Sequence, residues 1–294
     1  IARHGDLKVG DYVFDRTGKP TLVTGVYPQG ERLIYRVTLV DGRTVDADGE
    51  HLWSVMTHGR QHLSVLRTKE MLQRGVITDA GEPRYHLPIN GAVERPEVVL
   101  PLDPYVVGVM VAKGSNSLLD FIDPTTSVEL RVDEILSASG TSPDLDAVTT
   151  HTADHRIPDA YFMASIEQRL SLINGIFDSS AKVETFDVCR VTCSVTSSGL
   201  AGDLQRMLWS LGYDNEVLMH WGPGKDAEFL VQVQASRGAK LALFGLEDKR
   251  QELIRLLPNS EEQSAWIPIR SIEVLDKREE MNCIMVDNAE HLYQ

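Results

Sequence analysis

Residues 33–55 read LIYRVTLVDGRTVDADGEHLWSV, and their alternation sets the fold class of the chain around them. Leu33, Tyr35, Val37 and Leu39 recur at every second position, which lays one face of a strand on a core. Asp41-Gly42 follows, a pair suited to a tight turn because glycine takes a positive φ without steric cost. Working outward, GDYVFD (10–15), TLVTGVYPQG (21–30) and HLWSV (51–55) are further short β-type runs separated by turn signals, so residues 7–55 read as a β-rich unit. TKEMLQRG (68–75) is a short helix candidate, and the proline-containing YHLPINGAVERPEVVLP (85–101) reads as a domain junction.

Beyond residue 101 the pattern changes. DPYVVGVMVAKG (103–114), VELRVDEILSASG (128–140), SIEQRLSLINGIFDSS (165–180) and SSGLAGDLQRMLWSLG (197–212) carry helical patterns, with strand-like TFDVCRVTCSV (185–195) and EFLVQVQA (228–235) between or after them. The polar SASGTSPDLDAVTT (137–150) reads as loop. WIPIRSIEVLD (266–276) and MNCIMVDNAEHLYQ (281–294) return to β-type runs. A β unit interrupted by an α/β unit and then resumed is the arrangement an inserted domain produces.

Bulk properties bound the function. The 294 residues suffice for two cores, and no apolar run reaches the length of a membrane span, so a soluble protein of the cytoplasm is expected, acting as a monomer. Cys189, Cys193 and Cys283 are too few and too odd in number for a disulfide framework, and no zinc pattern accompanies them. A net charge of −14 opposes a polyanion, and Lys and Arg form no obvious stripe, which argues against tight DNA binding. His151 and His155 have helical spacing without a further ligand and read as structural.

Two segments resemble inteins, the protein-splicing elements. DGRTVDADGEHLWSV (41–55) resembles their β-turn-β motif ending in Thr-x-x-His, with His51 at the histidine that polarises the N-terminal junction and Asp48 at the usual threonine. A carboxylate there can share the same hydrogen bonds but also raises the pKa of a neighbouring imidazole. MNCIMVDNAEHLYQ resembles the segment preceding the terminal His-Asn of inteins. There Cys283 stands where aspartate is usual, His291 at the histidine that assists asparagine cyclisation, and Asp287 at the intervening turn. Two such motifs at opposite ends of the chain are more specific together than either alone. The resemblance implies catalysis of splicing by His51, Asp48, Cys283, His291 and Asp287, with no cofactor and with flanking extein segments as partners. It also places the first-position nucleophile and the terminal His-Asn outside Ile1–Gln294, so the chain in this form is not expected to splice.

The central region resembles LAGLIDADG homing endonucleases of the two-motif kind. LPLDPYVVGVMVAKGS (100–115) and RLSLINGIFDSSAKV (169–183) carry the likeness, reinforced by the Ile157-Pro158 segment ahead of the second helix. The two motif helices are expected to pack at a pseudo-twofold axis through Gly108, Ala112 and Gly175, each presenting an acid for Mg²⁺. Lys113 and Ser180 occupy the acidic positions, and Asp178 lies at an earlier one, so a nuclease scaffold without cleavage is expected. Its ancestral Mg²⁺ would go unused, and duplex DNA would be at most a weak partner. The fold class implied is mixed: an all-β, horseshoe-like Hint splicing domain (1–95 and 263–294) interrupted by an α/β endonuclease-type domain (96–262). An active nuclease and a DNA-binding remnant stand as alternatives to splicing.

Overall fold

The computed structural model describes residues 4–59, 62–115, 117, 125–139, 146–185, 189–221, 227–256, 266–289 and 293. In chain order they form a 3-10 turn (His4–Asp6), β1 (Tyr12–Phe14), β2 (Pro20–Leu39), β3 (Thr44–Asp48), β4 (Leu52–Thr57), β5 (Leu63–Arg67), α1 (Thr68–Arg74) and β6 (Tyr85–Pro88). Next come α2 (Pro104–Lys113), α3 (Ser127–Ser139), α4 (Asp146–Ala153), α5 (Asp159–Phe162), α6 (Ile166–Ser180), β7 (Ala181–Thr185) and β8 (Cys189–Val195). The last are α7 (Ser198–Ser210), β9 (Asp214–His220), β10 (Glu228–Gln234), α8 (Arg237–Ala242), α9 (Glu247–Leu256) and β11 (Trp266–Val286). The fold is mixed α/β with antiparallel sheets. The chain divides into two compact units, one made of Ile1–Gly91 with Ser264–Gln294 and the other of Ala92–Gln263.

In the first unit the strands run in the order β1-β2-β11-β6-β4-β5, with β3 also on β2. Its spine is the antiparallel pairing of β2 with β11, from Ile269 opposite Leu39 to Val286 opposite Val23. Each of these is one long strand, where the sequence pattern suggested two runs broken at Pro28-Gln29-Gly30 and near Lys277. The break is absorbed by a bulge: Met281 faces Gly30 and Asn282 faces Pro28, leaving Gln29 as the extra residue. Gly30 supplies the positive φ of +68° this needs, and Pro28 has no N–H to lose. Tyr35, Val37 and Leu39 face the core with Trp53, Val55 and Ile269, as the alternation predicts; Leu33, the first residue of that alternation, is only half-buried and lies outside this core, and Ile34 beside it is buried. Asp41-Gly42 makes the β2–β3 turn, Gly42 at φ +89°. Tyr85–Pro88, read as part of a connection, is a strand because it bridges β4 and β11.

The second unit holds a four-stranded antiparallel sheet, β7-β8-β10-β9, and its core centres on α2 and α6. Asp103 caps α2, its Oδ1 accepting from the Tyr105 amide at 2.9 Å, with Pro104 in the first turn and Gly114 left-handed at the end. Ser165 and Gln168 form a capping box on α6. The two helices meet backbone to backbone. A Cβ on Gly108 would lie 2.1 Å from the Leu172 carbonyl oxygen, and one on Gly175 would lie 2.1 Å from that of Tyr105. The repeat expected of two motif helices goes no further among the described residues: α6 leads into β7, β8, α7, β9 and β10, whereas α2 is followed by α3 and α4. The stretch 137–150, read as loop, is helical at both ends, because Val148 and Thr152 of α4 are fully buried. Buried Arg169 ties this unit together, donating to the carbonyls of Ala164 and Ser165, to Ser210, and to Val93.

Candidate functional site

His51 sits in the turn between β3 and β4, and its backbone is fixed from both sides. Its N–H donates to the Asp48 carbonyl at 3.3 Å, and its own carbonyl accepts from the Thr68 amide at 3.1 Å. The Thr68 hydroxyl, wholly buried, donates to the same carbonyl at 3.4 Å and accepts from Trp53 Nε1 at 2.9 Å. The Trp53 ring stands edge-on to the imidazole, 4.9 Å between centroids at 72°. Trp53 and Thr68 therefore hold His51. The sequence reading assigned neither, because one looks like core and the other like the start of a helix.

Burial lowers the pKa of His51, and this outweighs the opposing pull of Asp48, while His4 adds to the lowering. The expected rise from Asp48 is thus present but overruled, because the imidazole is desolvated and has a second imidazole in electrostatic range. Asp48 directs its carboxylate elsewhere: Oδ1 accepts from the Glu50 amide at 2.6 Å and shapes the turn that presents His51.

The C-terminal residues of the candidate site lie on and after β11. Cys283 carries an exposed thiol opposite Tyr27 of β2. Its neighbour Asn282 donates from Nδ2 to the Gly5 carbonyl at 3.2 Å, seating the His4–Asp6 turn on this strand. His4 Nε2 lies 3.1 Å from the Tyr293 hydroxyl, and the two rings stack at 5.8 Å and 22°. Burial and then the charge of Cys283 push the Tyr293 phenol up to about 12, and burial holds the His4 imidazole below its ordinary value. Two neutral imidazoles, a phenol and a thiol are thus linked by contact or by electrostatic reach across both ends of the chain. His4 lay in a polar stretch with no motif to mark it, and Tyr293 was visible only as the aromatic closing the MNCIMVDNAEHLYQ segment.

Of the remaining predicted positions, His291 lies outside the described residues. Asp287 follows β11, and its Oδ1 accepts from the Thr21 hydroxyl at 2.7 Å and the Leu22 amide at 2.9 Å. Those bonds lower its pKa and clamp the end of β11 to β2.

In the second unit, Lys113 ends α2 with Nζ 2.7 Å from Glu129 Oε1. Glu129 also accepts from the Thr125 and Thr126 amides, and these partners pull its carboxyl down to about 2. Asp178 is buried, with Oδ2 accepting from the Tyr105 hydroxyl at 3.0 Å and from the Gly245 and Leu246 amides at 3.1 and 3.0 Å. Burial nevertheless raises it to about 6. Ser180 ends α6, half-buried. An ammonium at one helix end, a serine at the other and a single carboxylate, whose Oδ2 takes three donors while its Oδ1 is buried without a partner, do not supply the several anionic oxygens a divalent cation needs. Among the described residues no group of three His, Cys, Asp or Glu is placed to hold a metal. His155 is structural as read, its Nδ1 3.0 Å from the Val111 carbonyl and its ring over Gly114 at the end of α2. No protein-family model matches the chain, and no curated protein is detectably similar to it.

Proposed function

We propose that this chain is a protein-splicing element of the intein kind, a Hint-type β unit formed by its two terminal segments and interrupted by a LAGLIDADG-like unit that does not cut DNA. The observation that carries this reading is the joining of the two chain ends beside the predicted histidine: His4 bonds Tyr293, Gly5 bonds Asn282, and His4 lies in electrostatic reach of His51. Autocatalytic excision needs that arrangement, because both scissile junctions must reach one set of acid, base and nucleophile.

The chemistry follows from the groups present. His51, neutral near pH 7 and rigidly held, can take a proton from an attacking nucleophile and return it to the leaving amide nitrogen at the upstream junction. Cys283, an exposed thiol on β11, can accept the upstream acyl group as a thioester while the displaced amine takes up the thiol proton; the acyl group then passes to the nucleophile that opens the downstream flank, which frees the thiol. His291 would serve the downstream junction, where an asparagine side chain closes on its own carbonyl and frees the following segment. No metal or cofactor enters any step, and the flanking segments of a host protein are the substrates.

The test is a precursor in which the chain, supplied at both ends with the residues splicing needs, lies between two reporter proteins. Intact-mass spectrometry should find ligated reporters and free excised chain, with His51→Ala slowing upstream cleavage. A precursor that stays whole under all conditions, in wild type and variant alike, removes the proposal. The α2–α6 packing favours one second reading, a DNA-binding remnant. It predicts salt-sensitive retention of duplex DNA without Mg²⁺-dependent cutting, and a gel-shift titration at low salt showing no complex dismisses it.

A further inference from the structure

We infer that His4 is a positioning residue of the splicing site, the group that holds Tyr293 beside the strand bearing Cys283. The inference rests on the splicing reading for its consequence, but its geometry stands alone. The His4–Asp6 turn is attached to the C-terminal segments twice, through the His4–Tyr293 bond at 3.1 Å and through Asn282 Nδ2 on the Gly5 carbonyl at 3.2 Å. Asn282 is the residue next to Cys283, and Tyr293 follows His291 by two positions. A single imidazole therefore links the segment that carries the downstream histidine to the segment that carries the thiol.

The stacked geometry explains why an imidazole suits the place. Its ring lies nearly parallel to the phenol, 22° off with centroids 5.8 Å apart, so the pair is offset-stacked while the edge nitrogen meets the hydroxyl. A phenyl ring in its place would keep the stack and lose the bond; an amide would keep a polar partner for the hydroxyl and lose the stack. Among the described residues, His51 lies in electrostatic reach of His4, and Cys283 in reach of Tyr293. Holding the phenol keeps Tyr293 on the His4–Asp6 turn, which Asn282 seats beside Cys283.

The experiment uses the same flanked precursor with His4→Phe, His4→Asn, Tyr293→Phe and the double His4→Phe/Tyr293→Phe. Upstream and downstream cleavage rates are measured separately. Loss of one positioned hydrogen bond should slow downstream release about fivefold in each single phenylalanine variant, with the double no slower than either single and His4→Asn recovering part of the rate. A merely structural role would slow both cleavages in step with the loss of thermal stability and would show no recovery by asparagine, so that outcome overturns the inference. If the wild type splices and every His4 variant matches it at both junctions, the inference fails and the splicing reading stands. If the wild type does not splice, the reading itself fails. The pair is then tested by NMR titration of the His4 imidazole, whose pKa must move on Tyr293→Phe; an unmoved titration overturns the contact too.

Discussion

Gly108→Ala offers a sharp test of the packing that organises the second unit, because the same substitution has opposite signs at different glycines. The added methyl would lie 2.1 Å from the Leu172 carbonyl oxygen and 3.1 Å from Gly175 Cα, all backbone atoms that no rotamer change can move aside. To clear the oxygen, α2 and α6 must separate by about 1 Å, which loosens the contacts of Val107, Ile173 and Ile176 on either side. Over-packing of this kind costs about 3 kcal/mol, against a gain of about 1 kcal/mol from replacing glycine inside a helix, for a net loss of about 2 kcal/mol. Gly175→Ala should behave alike, since its methyl meets the Tyr105 oxygen at the same 2.1 Å. Gly202→Ala in α7 is the control: nothing lies within 4 Å of its Cβ, so it should gain up to about 1 kcal/mol. Differential scanning calorimetry should lower the Tm of the unit by about 4–8 °C for Gly108→Ala and raise it for Gly202→Ala. A Gly108→Ala protein as stable as Gly202→Ala would show that the helices do not touch through their backbones.

Three further outcomes follow from the site. The fold favours neutral His51, so its contribution to stability is present above about pH 6.5 and is lost as pH falls through its lowered folded value; His51→Gln should flatten the dependence of urea midpoints between about pH 7 and pH 5. Asp178 has the opposite sign: its raised value means a contribution complete below its unfolded pKa and lost as pH rises through about 6, so Asp178→Asn should remove that decline in the same titration. Asp287→Ala should speed hydrogen exchange at the Leu22 amide and lower the Tm of the first unit, without changing the mass of any cleavage product, because its carboxylate serves the β2–β11 clamp.

The sequence revealed the elements whose pattern is local. The alternation at Tyr35, Val37 and Leu39 and the Asp41-Gly42 turn are written in neighbouring residues, and the structure holds both. It concealed what depends on distant partners. Pro28-Gln29-Gly30 looks like a chain reversal until β11 lies beside it and turns the extra residue into a bulge. Tyr85–Pro88 becomes a strand only between β4 and β11. Of the candidate site, His51 and Cys283 were singled out by motif resemblance, as were Lys113 and Ser180. The Trp53–Thr68 brace and the His4–Tyr293 pair were not, since nothing in a polar N-terminal stretch signals a partner 289 positions away. Nor does spacing reveal that the Asp287 carboxylate bonds the Thr21 hydroxyl and the Leu22 amide.

The central claim is spatial, that residues from the two ends of the chain form one pocket around His51. A nitroxide spin label on Cys283, in a Cys189→Ser background with Cys193 fully buried, probes this directly in protein carrying ¹⁵N-labelled histidine. The account predicts strong paramagnetic broadening of the His4 imidazole and clear broadening of His51, both reversed when the label is reduced. Sharp, unaltered signals from both histidines would contradict it.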